Sequence, residues 1–581
     1  MGDRAQGGGI RRFERDFFSP AAPFTFIGDG ELGGKATGLA GALTPLTRLD
    51  GSRFEGITVG IPHLVVVTTS LFDAFMERNE LWETALDELP DERIANAFMR
   101  AELPIELGGD LRALVAEVHQ PLAVRSSSRL EDAMGRPLAG VYATKMTPNN
   151  QPDVDSRFRK LAEAVKLVWA STFYRDARSY RRAIGAPDAD ERMAVVIQEV
   201  VGSRFGDRFY PHIAGVGRSF NYYATGNAKP ADGVGILALG LGKTIVDGEG
   251  GWAYSPAFPK APPPYNSIGE LLKSTQTGFW AVNMGQAPAY DPLTETEWMV
   301  KGTLAEAEAD DTLRFVASTF DPQSNRITPS LFVKGPRLVN FAPVLSYGMA
   351  PVNEMLRELL RACEESVGSG VEIELALVLD PRGGTPARCG FLQVRALASG
   401  TEQVDVSEAD LQAPGTLVAS ERVLGNGLDE TIRDVVFVKR DGFEAGLTPT
   451  VARELAALNE RLLGAGRRYL LMGFGRWGTS DPTGGVPVTW GQIAGAKVIV
   501  EASLPAMRQD MSQGSHFFHN LTSLGVTYFS VGEHDRPGID WGWLETLPVA
   551  SETSTLRHVR LAAPLQVRVD GRTGRGVVRR G

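Results

Sequence analysis

Cysteine is almost missing: Cys363 and Cys389 are the only two in 581 residues, and they lack C-x-x-C spacing. That excludes a disulfide framework and a cysteine zinc cage, and a reducing cytoplasm is the expected location. No run of about 18 uncharged apolar residues occurs, so no membrane span is expected. The opening MGDRAQGGGIRRFERDFF holds no apolar stretch long enough for a signal-peptide core, so no export is expected. Gln6 stands where a myristoylation pattern wants Ser or Thr. Basic excess is missing too. Sixty Lys and Arg against 70 Asp and Glu give a net charge of −10, which argues against wholesale nucleic-acid coating.

What is present is ordinary globular composition, 43% hydrophobic and 22% charged, over a length that calls for several cores of about 100 to 200 residues each. Helical and strand-like texts alternate. Residues 2–9 read as a mobile leader. ELGGKATGLAGAL, from Glu31, sets two glycines before a helix; Leu64 to Val67 reads as a buried strand; residues 153–184 carry a long amphipathic pattern before the strand-like AVVIQEVV at 194–201. The proline-rich SPAFPKAPPPYNS reads as a surface connection or an elongated loop. Val352 to Val367 is helical, and VEIELALVLD and GFLQVRAL are two strands joined by a turn. This alternation predicts an α/β (α+β) layered protein. A linker follows Ala398, and LQVRVDGRTGRGVV near the end reads as a hairpin turning at Asp570 and Gly571, its arginines (Arg568, Arg572, Arg575, Arg579, Arg580) read as a solvated basic tail.

Three blocks supply parts of a phosphate site. Gly33 and Gly34 allow close backbone approach and Lys35 offers a mobile positive charge. Arg125 ends a short apolar strand before three serines and a loop through Gly140 to Thr144, a phosphate clamp or a solvated serine turn. Period-two alternation puts Glu372 with Glu374, and Gln393 with Arg395, on single strand faces. Converging, they would offer a carboxylate for Mg²⁺, an amide oxygen and a guanidinium around a triphosphate; otherwise they form an edge salt bridge.

GGKATGLA, AVRSSSRLED with LAGVYAT, VVIQEVV, LALGLGKTIVDGE, and EIELAL with FLQVRAL resemble, in order and spacing, blocks of the ATP-binding part of phosphoenolpyruvate synthase and pyruvate phosphate dikinase. The resemblance runs from about Phe26 to Leu397 and implies a two-lobed ATP-grasp fold enclosing Mg-ATP. It implies that Lys35 and Arg125 bind phosphates, that Gly140 and Thr144 form the loop closing over them, and that the Gln198, Glu199 and Val201 segment is the hinge facing adenine. Glu374 would hold Mg²⁺ with Gln393, while Gln393 and Arg395 would touch the transferring groups. The family's GLGE reads GLGK here, so Lys243 replaces an acid.

The family carries phosphate on a histidine in a swivelling β/α domain. Among seven histidines, His516 is the candidate, within a text that resembles a stretched strand, glycine turn, histidine, helix and Leu-Gly-Val sequence. Gly514 alone stands for the usual double glycine, Thr522 replaces an arginine, and Phe517 and Phe518 replace small residues. His516 and His519 also make H-x-x-H, without a third ligand at metal spacing. Gly473, Gly475 and Gly478 fit G-x-G-x-x-G, but the text that follows is no helix, so a dinucleotide site is not expected and a loop packed by Trp477 and Trp490 is. A pyruvate-binding barrel takes about 250 residues, more than follow His516.

The expected layout is a leader (1–25), an N-terminal ATP-grasp lobe (26–190), a second lobe (191–400), a divergent phosphohistidine-like swivelling domain (401–550) and a hairpin with basic tail (551–581). The expected function is an ATP-dependent phosphotransferase of dikinase type acting on a small-molecule or protein acceptor, with neither nucleic acid nor membrane as partner. A kinase or ligase acting directly on its acceptor and a nucleotide-sensing regulatory module are the alternatives.

Overall fold

The computed structural model describes the chain except residues 1–9, 16–22, 130, 132–140, 185, 222–226, 247–250, 262–267, 269–270, 273–274, 380–386, 398–403, 442, 479–483, 505–525, 534 and 536–537. Gly140, His516 and His519 therefore lie outside the described residues.

The first sheet has six strands, in chain order β1 (Ile10–Arg12), β2 (Phe24–Ile27), β4 (Leu64–Val67), β5 (Leu122–Ser128), β6 (Thr144–Thr147) and β7 (Met193–Glu199), arranged β1-β2-β4-β7-β5-β6. Its central strands read as nearly unbroken apolar runs because both faces are covered. One face packs helices, among them α2 (Val154–Ser171) and α3 (Arg175–Ile184). These two come from the single long helical text. Asp153 caps α2 by accepting from the Ser156 amide at 2.7 Å, and the chain breaks before Arg175, whose amide donates to Asp91 at 2.9 Å.

The other face packs α1 (Gly33–Thr47) and the second sheet, ordered β10-β9-β8-β11-β12-β3. Its strands are β3 (Ile57–Gly60), β8 (Ile213–Arg218), β9 (Val234–Ala238), β10 (Trp252–Tyr254), β11 (Val371–Val378) and β12 (Ala387–Ala396). β3 pairs in parallel with β12, more than 300 residues later, so an early segment of the chain completes the second sheet. The helix α4 (Val352–Val367) has the span its sequence indicates and packs on α1.

Beyond residue 404 the described residues form a seven-stranded, a four-stranded and a small two-stranded sheet, the larger two around a third core. β13 (Asp434–Val438), β14 (Tyr469–Phe474), β15 (Ala496–Ala502) and β16 (Thr527–Val531) run parallel side by side, and β17 (Leu556–Arg560) pairs antiparallel with β13. The helix α5 (Thr448–Gly464) follows β13. The terminal hairpin forms, with Gln566–Asp570 paired to Arg575–Arg579, and belongs to a four-stranded sheet. Its arginines are not a free basic run. Arg568 and Arg579 bind Asp410, Arg572 binds Asp405, Arg575 binds Glu421 and Arg580 binds Asp540. Trp477 and Trp490 pack inside, and among the described residues no α-helix opens between the glycine loop and β15. Among the described residues no helix is long and apolar enough to cross a membrane.

Candidate functional site

The site begins with a register. In the β11/β12 ladder Glu374 stands opposite Gln393 and Glu372 opposite Arg395, so alternation places all four side chains on one face. The ladder slips between Glu374 and Leu375: Leu375 pairs with Phe391, which leaves Leu392 as the extra residue of a β-bulge. The bulge leaves the Leu392 carbonyl available, and Arg125 Nη1 of the first lobe donates to it at 3.2 Å. Arg125 Nη2 donates to Gln393 Oε1 at 2.7 Å and lies 3.3 Å from Glu374 Oε2. One guanidinium thus ties the first sheet to Glu374 and Gln393 of the second.

Behind this contact is a buried charge network. Glu372 is fully buried and accepts from Arg395 Nε at 2.7 Å and from Arg218 on β8. Arg395 Nη2 also lies 3.7 Å from Glu374 Oε1. Two arginines around one buried carboxylate offset its desolvation and fix the Arg395 plane beside Glu374. Arg218 is the member that sequence reading did not name, while Glu372 was named in the set without a separate role.

On the first sheet, Thr144 is the direct partner of Arg125, and Gln198 that of Ala123. Alternation along β7 puts Gln198 on the face of Ala194 and Val196, toward the second sheet. Gln198 is 2% exposed, and its Nε2 has no hydrogen-bond partner among the described residues. Glu199 turns the other way, with His63 Nδ1 3.3 Å from its carboxylate, and its amide donates to His63 O. Val201 packs on Gly390 so closely that a Cβ there would lie 2.3 Å from it. Beside Val200 is a small apolar cluster of Phe209, Leu241, Val282 and Met284.

Lys35 sits at the start of α1 and binds Glu131, with its Nζ 3.4 Å from Ser126 Oγ, next along the chain from Arg125. The close approach permitted by the glycine pair is to protein rather than to an open cradle. A Cβ on Gly33 would lie 1.6 Å from Ser127 O, and one on Gly34 1.5 Å from Glu131 O. Gly33 also has φ +75°, the left-handed region. Lys243, in the place of the family's acid, has its Nζ 3.2 Å from Glu295. The lobes are tied a second time at Lys145, which donates to Thr294 O at 2.8 Å; burial lowers its pKa.

Among the described residues no cluster of three or more His, Cys, Asp or Glu has metal-binding geometry. Glu374 and the Gln393 amide oxygen supply two neighbouring oxygen donors, a set that suits a hard cation arriving on phosphates.

Fold and site define a two-lobed, ATP-grasp-like α+β protein followed by a β/α unit. The chain belongs to the pyruvate phosphate dikinase AMP/ATP-binding domain family, whose pattern matches residues 30–409. Among curated proteins it is 30% identical over 143 residues to the uncharacterized phosphotransferase YvkC of Bacillus subtilis (25% of this chain, 16% of that protein). It is 29% identical over 217 residues to the rifampicin phosphotransferase of Streptomyces sviceus (34% and 22%). With the phosphoenolpyruvate synthase of Aeropyrum pernix it shares 29% over 196 residues (30% and 21%). Each match spans less than a quarter of the relative's length.

Proposed function

We propose that this protein is an ATP-dependent phosphotransferase of dikinase type that binds Mg-ATP between its two lobes. The observation that carries the reading is the reach of Arg125 from the first lobe to Glu374 and Gln393 in the second. Phosphoryl transfer depends on positioning and on offsetting charge over the phosphate oxygens. Lys35, Arg125 and Arg395 supply the cations. Glu374 and Gln393 are the residues that would hold Mg²⁺, which would offset phosphate charge there. The unpartnered Gln198 amide and the apolar cluster beside Val200 suit a purine with polar edges; Glu199 offers backbone only, since its side chain is turned to His63. Thr144, opposite Arg125, is positioned for the phosphate tail, with Gly140 preceding it.

His516 is the candidate carrier of the phosphoryl group. It lies in the connection between β15 and β16, and these are parallel neighbours, the pairing that the strand, histidine, helix and strand reading requires. The acceptor is a small molecule or a second protein. A small-molecule acceptor is in keeping with the names of two relatives, a rifampicin phosphotransferase and a phosphoenolpyruvate synthase.

ATP labelled separately at the β and γ positions tests the reading in wild type and His516→Ala. The dikinase route leaves β-label acid-labile on the wild-type protein only and releases AMP with phosphate. ADP as the sole nucleotide product, with no labelled protein, would replace it by direct transfer to the acceptor.

A further inference from the structure

Glu131 is 1% exposed and occupies the turn immediately after β5. Its carboxylate accepts from Ser126 Oγ at 2.8 Å and from the Ser128 amide at 2.9 Å, and it binds Lys35. The Ser126 and Ser128 bonds come from its own strand, so the carboxylate is oriented independently of the lysine. α1 is seated against the same turn through Gly33 and Gly34, and the Ala36 amide donates to Ser127 Oγ at 3.1 Å. Helix α1, the end of β5 and the Glu131 carboxylate are packed and hydrogen-bonded together around Lys35.

We infer that Glu131 is a positioning residue that holds the Lys35 ammonium for an anionic oxygen of the nucleotide. An ammonium has three donors. Glu131 and Ser126 take two, and Lys35 has no other partner among the described residues, so one donor remains for a phosphate. A lysine stem loses much rotamer freedom when it is fixed, and fixing it before the ligand arrives removes that cost from binding. The buried carboxylate also needs a cation at this place, which keeps Lys35 here in the free protein. The inference deepens the nucleotide reading and rests on it.

The test is a double-mutant cycle on the full chain, with Mg-ATP affinity by calorimetry and steady-state KM and kcat for wild type, Glu131→Gln, Lys35→Ala and the double variant. Glu131→Gln is expected to raise the dissociation constant and KM about fivefold while kcat changes less than about twofold, and to add nothing further in the Lys35→Ala background. Ser126→Ala, which leaves the carboxylate in place, is expected to shift KM the same way by a smaller factor. A lower KM in Glu131→Gln overturns the inference, because the carboxylate would then compete with phosphate for the lysine. An equal loss with and without Lys35 also overturns it, leaving Glu131 a purely structural turn residue. If Lys35→Ala alone binds Mg-ATP like wild type, the phosphate role of Lys35 fails and the inference goes with it, while Arg125 and Glu374 can still be tested independently.

Discussion

Glu374 and Gln393 are direct cross-strand partners, and both are held by Arg125 from a different sheet. A carboxylate and an amide oxygen lie side by side under one guanidinium, and under the proposed function these are the groups that would meet the metal and the phosphates. Glu374→Gln removes the charge and keeps the shape. Magnesium-dependent nucleotide consumption is expected to fall at least about 100-fold, in the range that follows loss of one preorganised charge contact. Circular dichroism should stay unchanged. Turnover within about threefold of wild type would remove Glu374 from the site.

Arg125→Lys tests the bridging geometry separately from charge. The guanidinium reaches Leu392 O, Glu374 and Gln393 through two nitrogens, and an ammonium cannot hold that fan of contacts. The expected result is a clear rise in KM for ATP with the charge preserved. Equal kinetics would show that only the charge matters here.

The glycine pair makes a stability prediction. Gly34→Ala drives a Cβ into the Glu131 carbonyl, 1.5 Å away, where neither backbone can yield cheaply. The first thermal unfolding transition should move down, by an amount that marks a loss of about 2 kcal/mol or more. Gly41→Ala on the same helix has open space and should be neutral or slightly stabilising. Equal melting for the two variants would contradict the packing described.

Glu454 on α5 sets an acid limit for the C-terminal unit. Burial alone would raise its pKa, but hydrogen bonds from Ser554, Thr553 and Thr555 outweigh that and hold it at about 2. A carboxylate lowered on folding contributes stability that is fully present above its unfolded value of about 4.3 and is lost as pH falls toward the folded value. Acid unfolding of the wild type should therefore steepen between about pH 4 and pH 2, and Glu454→Gln should flatten that part of the curve. Identical acid profiles would count against this network.

Much of the second lobe was legible in the sequence because strands alternate with period two. The Glu372, Glu374, Gln393 and Arg395 set needs only the correct register to become one face, and the structure has that register. The Leu392 bulge was not legible, since an extra residue leaves no compositional mark in an apolar run. Glu131 and Arg218 were missed for a different reason. Each takes its part in the site through a partner far along the chain, Lys35 for one and Glu372 for the other. The same distance hid the pairing of β3 with β12 and the carboxylates that bind the C-terminal arginines. A charge run looks solvated in sequence whenever its counterions come from other segments.

Photolabelling with 8-azido-ATP and peptide mapping tests the central claim most directly. The account predicts magnesium-dependent label, removed by excess Mg-ATP, in peptides that contain Gln198 to Phe209 or Leu241 to Met284. Label protected by Mg-ATP only within residues 404–581, or no protectable label anywhere, would contradict nucleotide binding between the lobes.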